Sequence, residues 1–329
     1  MTDLVVRELK QNEWHLWDQW LASQPWDSPF ASAWWLEASC RAFGGHPLLL
    51  GALRGDDLVG GVCLRITNVG LAPIVRPSLL YNPVVIAPDG AQNRQAVLAV
   101  LLEDMARRRL VVRPLSCTPD MVDLREAAWH HWNLTVSWTV MIGLNNWVPL
   151  NNVSGGELKQ LRKAQRAGVV ANTEPPNVDL LYDFLHATMK RHAAEEDLSR
   201  EQLRIFVDSA GMHGQQTVVR DRDGTPLSTC FVLSHGPRVA YGVWAGTSPA
   251  GLAKGAAVAR DVFRFQDLAT QGYEYFDWCG ASQIGYSDYK LKFGGALTTR
   301  LAIAREPLWF RAAEPMYARL HRFERGIRR

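Results

Sequence analysis

The chain has 329 residues, 47% of them hydrophobic and 21% charged, with 36 Lys and Arg against 33 Asp and Glu for a net charge of +3. At roughly 100–200 residues per domain this predicts two domains or one large one, big enough to fold without disulfide or metal staples. So small a charge excess excludes a histone-like tail while permitting an anionic ligand such as a nucleotide, a phosphate or a tRNA acceptor end. Five cysteines without a CxxC pair read as reduced thiols. The opening MTDLVVRELK has no apolar core, and no apolar run approaches the ~20 residues of a membrane helix. The expectation is a cytoplasmic protein with neither signal peptide nor transmembrane segment.

Apolar periodicity predicts helices over 11–22 and 31–43, separated by Asp27-Ser28-Pro29 and ended by Gly44-Gly45. Trp14, Trp17 and Trp20 recur at spacing three along one helix side, which reads as packing. Residues 46–53 and 58–66 alternate about the turn RGDD and predict a β-hairpin. Strands are expected at 70–76, 79–86, 110–115 and 132–142, and helices at 91–109 and 119–131. The Arg107-Arg108-Arg109 triplet ends the first of these helices, where cations complement the helix dipole. The asparagine- and glycine-rich stretch 145–156 reads as the boundary between units 1–148 and 149–329.

The second half replays the first in element order. Helices are expected at 154–167, 177–192 and 199–210, a hairpin at 215–221 and 225–234, and a strand at 238–247. A single long helix over 251–271, a strand at 273–278, a short helix at 284–292, a strand at 297–304 and a closing helix at 312–328 complete the chain. A strand–helix–strand step after an antiparallel meander gives a mixed sheet in each half.

The segment FDWCGASQIGYSDYKLKFGG (276–295) carries the strongest chemical pattern. A strand ending in Asp277 runs through a glycine turn to Tyr289, Lys290, Lys292, Phe293 and Gly294. Lysines beside aromatics and a glycine pair can hold an anion, because the ammonium supplies charge and glycine lets a backbone approach closely. A surface turn with solvated lysines would read the same way. A second basic cluster, Arg162, Lys163 and Arg166, lies on the helix over 154–167 and offers either a phosphate contact or a solvated helix face.

These motifs resemble the FemAB-type transferases. The Asp-turn-aromatic-Lys-x-x-Phe-Gly element at 277–294, the basic helix GELKQLRKAQRAGVV (156–170) and the early WDSPFASAWWLEA (26–38) are the segments that carry the resemblance. It implies an α/β (α+β) fold of two tandem GNAT-like domains, each a mixed sheet flanked by helices, with a cleft between them. It implies an acyltransferase that moves an aminoacyl group from aminoacyl-tRNA onto an amine, typically of a peptidoglycan precursor or a small molecule. It implies no metal and no redox cofactor. The acceptor can be phosphate- or lipid-linked, which allows peripheral membrane contact, and DNA is not among the expected partners.

In this reading Lys290, Asp277 and Tyr289 are catalytic, and Phe293, Gly294, Lys292, Arg162, Lys163 and Arg166 help bind substrate. Lys290 would stabilise an oxyanion or a terminal phosphate, and Asp277 would orient the acceptor amine or cap the glycine turn. The stretch GLAKGAAVAR (251–260) sits where GNAT enzymes hold the coenzyme A pyrophosphate. Gly255 and Ala257 fit that pattern, but Leu252 stands at the Arg/Gln position, with Lys254 as a partial substitute. That disfavours an acyl-CoA donor, leaving an acyl-CoA N-acyltransferase and a non-catalytic GNAT-like binding protein as alternatives. His186 and His192, six apart, are not expected to share a helix face, and adjacent His130 and His131 do not suggest a metal site. Cys279 is a minor candidate nucleophile.

Overall fold

A computed structural model describes residues 4–192, 198–281, 284–307 and 309–310. The first half contains β1 (Leu4–Glu8), α1 (Trp14–Ala22), α2 (Ala33–Phe43), β2 (His46–Arg54), β3 (Asp57–Val69), β4 (Ala72–Arg76), β5 (Val84–Ile86), α3 (Ala91–Arg107), β6 (Val111–Ser116), α4 (Arg125–Trp129) and β7 (Asn133–Gly143). The second half contains α5 (Pro149–Asn152), α6 (Gly155–Ala167), β8 (Val170–Glu174), α7 (Val178–Arg191), α8 (Arg200–Ala210), β9 (Gly214–Arg220) and β10 (Pro226–Leu233). It continues with β11 (Val239–Thr247), α9 (Pro249–Lys254), α10 (Ala256–Thr270), β12 (Tyr275–Asp277), α11 (Ile284–Leu291) and β13 (Ala296–Arg305).

All of these strands join one mixed sheet, ordered β1-β2-β3-β4-β6-β13-β7-β12-β11-β10-β9-β8, with β5 beside β3. The expected repeat is present. In each half an antiparallel meander ends in a parallel pair, β4–β6 or β11–β12, spanned by α3 or α10. The halves are joined through the sheet itself: β7 pairs antiparallel with β12, and the late strand β13 lies between β6 and β7.

Three expectations change. The helix expected at 119–131 is confined to Arg125–Trp129, preceded by Leu124 in a non-helical conformation (φ −116°, ψ 28°), with the Asp123 carboxylate accepting the Arg125 N–H. The strand expected at 79–86 shrinks to Val84–Ile86, since Leu80 adopts a left-handed φ of 63° and turns the chain. The helix expected at 251–271 is two helices, broken at Gly255 with φ +74°. A Cβ at Gly255 would lie 2.5 Å from the Gln160 carbonyl of α6, so only glycine lets the helices pack this closely. The expected closing helix at 312–328, the earlier Glu195-Glu196-Asp197 group and Gln283 lie outside the described residues.

The N-terminal tryptophans pack, as their spacing implies. Trp17 is fully buried and donates its indole N–H to the Ala31 carbonyl at 2.8 Å, while Trp14 and Trp20 flank the same cluster. The five cysteines are free thiols.

Candidate active site

The parallel pairing of β11 with β12 ends at Tyr241–Asp277, yet β11 continues to Thr247. Beyond that point the sheet opens, and a cavity of about 660 Å³ occupies the gap. Its walls come from β11, α7, α10, α11 and the turn after β12, and Leu79 and Leu80 of the first half complete them. At Gly246 a Cβ would collide with the Phe184 backbone, so glycine allows α7 to rest on the strand. The walls are mostly apolar: Leu185, Met189, Trp244, Phe276 and Trp278 all contribute. Among the described lining residues, Arg191, Arg260, Arg264 and Lys290 carry positive charge and Asp261 is the carboxylate.

Lys290 reaches this cavity from α11. Its Nζ donates to the carbonyls of Trp278 (2.8 Å) and Gly280 (2.5 Å). An ammonium has three N–H groups, so among the described residues one is left without an acceptor. Burial holds the Lys290 ammonium below the ordinary lysine range, opposed by the nearby Cys279 and Asp277.

Asp277 stands behind this turn rather than at the cavity. Its side chain is fully buried: Oδ2 accepts from the Tyr81 hydroxyl at 2.5 Å, and Oδ1 accepts from the Thr139 hydroxyl and from the Cys279 N–H at 2.8 Å. The Thr139 hydroxyl oxygen also accepts the Gly280 N–H at 2.9 Å. Burial pushes the Asp277 carboxyl up, while these hydrogen bonds and Arg300 oppose that shift. With its oxygens so engaged, Asp277 holds the 278–280 turn on which Lys290 rests.

Cys279 lines the cavity with φ +53°, a left-handed conformation for a side chain with a Cβ. Burial and the neighbouring Asp277 push its thiol well above the usual range, the opposite of what an activated nucleophile needs.

Tyr289 also lines the cavity, and its hydroxyl donates to Asp261 Oδ2 at 2.8 Å. Arg260 grips the same carboxylate with Nε on Oδ1 and Nη2 on Oδ2, both at 2.8 Å, and its Nη1 reaches the hydroxyls of Ser228 and Thr247. Arg264, one turn further along α10, is only 3% exposed, and its Nε and Nη2 have no hydrogen-bond partner among the described residues. It lies over the Phe276 ring, and burial holds it well below the ordinary arginine range.

The remaining sequence candidates lie elsewhere. Phe293 is buried in the core, with its carbonyl accepting the Trp147 indole N–H at 3.1 Å. Gly294 packs at φ +78° against the Asn152 backbone. Lys292 pairs with Glu157 at 3.2 Å, and Lys254 pairs with Asp221. Arg162, Lys163 and Arg166 form an exposed face of α6 away from the cavity, and Gly255 serves the α6–α10 contact. His186 and His192 do share a site despite their spacing, since both line the cavity. Sequence reasoning missed Arg260, Asp261 and Arg264. Their signal was three charges within VARDVFRF, a stretch whose Val258, Val262 and Phe265 are all buried.

Neither a protein-family model nor a curated protein sequence matches the chain. Solved structures do. The chain is similar to a crystal structure of FemX, with a TM-score of 0.68 at 12% identity over 90% of this chain and 96% of that one. The chain has the tandem GNAT fold. Two further structures share this FemX-like architecture. A tandem GNAT protein from the clavulanic acid biosynthesis pathway aligns at TM-score 0.53 and 12% identity over 92% of this chain and 98% of that one. L-PGS from Bacillus licheniformis aligns at TM-score 0.54 and 12% identity over 84% and 94%. Among the described residues no helix is long and apolar enough to cross a membrane.

Proposed function

We propose that the chain is an acyltransferase that moves an aminoacyl group from aminoacyl-tRNA onto an amine acceptor in the cavity beside β11. The observation that carries this reading is Lys290, held by two carbonyls in the wall of a mostly apolar cavity, with one ammonium N–H left over among the described residues. The FemAB-type motif at 277–294 and the FemX-like fold support the same reaction class. The division into units 1–148 and 149–329, with transfer assigned to the second, belongs to this proposal.

An aminoacyl ester is already activated, so positioning and charge stabilisation supply most of the required rate. The acceptor amine attacks the ester carbonyl carbon and forms the C–N bond. Negative charge gathers on the carbonyl oxygen, where the Lys290 ammonium stabilises it. The ester C–O bond then breaks, and the proton lost by the amine ends on the departing ribose oxygen. Tyr289, fixed by the Arg260–Asp261 pair, shapes the wall beside Lys290. Asp277 is a positioning residue for the 278–280 turn.

One observation favours a second reading, an acyl-CoA donor. The break at Gly255 gives α10 its own N-terminus, with Leu252 and Ala257 in the cavity wall. Free N–H groups at such a terminus suit a pyrophosphate. The test is a donor panel by thermal shift and intact mass, setting coenzyme A thioesters against charged tRNA and a minimal aminoacyl-RNA mimic. A ligand present at a hundred times its Kd adds about 2.7 kcal/mol of stability. A shift with aminoacyl-RNA that is lost in Lys290→Ala is the expected result. A shift with coenzyme A alone makes acyl-CoA the donor.

A further inference from the structure

The turn that holds Lys290 is itself held from the first half. In an extended strand the carbonyls of residues i and i+2 stand about 7 Å apart. Here the Trp278 and Gly280 carbonyls both reach one Nζ, at 2.8 and 2.5 Å. The chain achieves this by turning through Cys279 at φ +53° and Gly280 at φ +128°. A residue with a Cβ persists in the left-handed region only where its surroundings fix it.

Four consecutive N–H groups do the fixing. Trp278 donates to the Val140 carbonyl at 3.0 Å, Cys279 to Asp277 Oδ1 at 2.8 Å, Gly280 to Thr139 Oγ1 at 2.9 Å and Ala281 to the Trp138 carbonyl at 2.8 Å. The acceptors Val140, Thr139 and Trp138 are successive residues of β7. A hydroxyl can donate and accept at once. The buried Thr139 hydroxyl does both, donating to Asp277 Oδ1 while it accepts from Gly280. Tyr81 secures the other carboxylate oxygen with its hydroxyl at 2.5 Å, and the Arg300 guanidinium lies over its buried ring, 4.7 Å from the ring centre. Leu79 and Leu80, just before Tyr81, line the cavity, so this loop forms cavity wall and braces the turn as well.

We propose that Thr139 and Tyr81 are positioning residues, which aim two backbone carbonyls at the Lys290 ammonium and so set where its charge meets the substrate. This rests on the reading of Lys290 as the group that stabilises the reacting carbonyl oxygen. A misplacement of about 1 Å in such a site can cost a hundredfold in rate. The second half's site is in this way kept in register by the seam with the first.

Two measurements on the intact protein separate the placement from the reaction. The first needs no substrate and follows the nitrogen resonance of the Lys290 ammonium in isotope-labelled protein, identified by its loss in Lys290→Ala. It should move in Thr139→Val, which keeps the shape of threonine and deletes both hydrogen bonds. It should also move in Tyr81→Phe, which keeps the ring beneath Arg300 and serves alone if the valine variant fails to fold. Thr139→Ser, which retains the hydroxyl, should leave the resonance in place. The second measurement is transfer from the minimal aminoacyl-RNA mimic to glycinamide. Turnover should fall roughly tenfold or more in Thr139→Val with the Michaelis constant for the mimic unchanged, the pattern of an interaction that acts in the transition state. Tyr81→Phe should lose less, and Thr139→Ser should keep most of the activity. A resonance that stays in place in Thr139→Val and Tyr81→Phe, a serine variant no better than valine, or a loss confined to the Michaelis constant would each overturn the proposal. Where the wild type shows no transfer, the fault lies with the proposed reaction, and the resonance alone decides the positioning.

Discussion

The two crossover helices occupy equivalent places in the two halves and are built differently. The buried face of α3 is apolar, with Val97, Leu98, Leu101, Leu102 and Met105 filling the space against β2 and β3. Its one buried charge, Asp104, points to the helix end, where Arg107 and Arg108 pair with it. The corresponding face of α10 buries Arg260, Asp261 and Arg264 among Val258, Val262 and Phe265, beside a cavity. One architecture is thus packed solid in the first half and kept open around charge in the second. Apolar packing against a sheet is enough to hold a parallel pair together. Buried charge costs stability, and in the second half Arg264 Nε and Nη2 have no hydrogen-bond partner among the described residues.

The contrast can be broken from either side. The largest effect is expected from Asp261→Ala, which strands Arg260 in the interior and should cost about 3–5 kcal/mol in denaturant unfolding. Leu101→Ala hollows the solid half instead and should cost about 2–5 kcal/mol, with transfer activity per folded molecule unchanged. If Leu101→Ala also changed the Michaelis constant for the acceptor, the separation of roles between the halves would be lost. Lys290→Ala should lower turnover at least tenfold, since a hydrogen bond to a charged group contributes about 1.5–3 kcal/mol. Full activity in that variant would remove Lys290 from the site.

A last effect concerns the seam between the halves. Asp27, in the loop before α2, is buried against Gly236 in the turn after β10. Burial pushes its carboxyl up to about 7. The folded chain then holds this proton more tightly than the unfolded chain, whose carboxyl titrates near ~4. The contribution of Asp27 to stability should therefore fall as pH rises from about 4 to about 7 and level off above. Asp27→Asn should flatten that slope, as a comparison of melting temperatures at pH 5 and pH 8 would read.

Much of the fold was legible in the sequence because its signals are local. The hairpins of both halves lie where they were expected, at 46–66 about RGDD and at 215–234, and α6 starts at the Ser154 cap and ends at the left-handed Gly168. The break inside 251–271 was not legible, since an interior glycine marks a kink only when another backbone presses on it, as Gln160 does. At the site, Lys290 and Tyr289 were found through their motif and do line the cavity. Lys292, Phe293 and Gly294 belong to the same motif but pack away from the cavity, because neighbours on a short helix and turn face different ways. Arg260, Asp261 and Arg264 escaped notice because charges on adjacent turns of a helix resemble an ordinary solvated stripe. Only the sheet opening beyond Tyr241 and Asp277 reveals that this stripe is buried.

The most direct test of where the ligand binds is hydrogen exchange of the wild-type protein with and without the minimal aminoacyl-RNA mimic. Protection concentrated in β11, α10 and α11, and absent along α3, is the result expected here. Protection confined to the first half, with β11 and α10 unchanged, would contradict it.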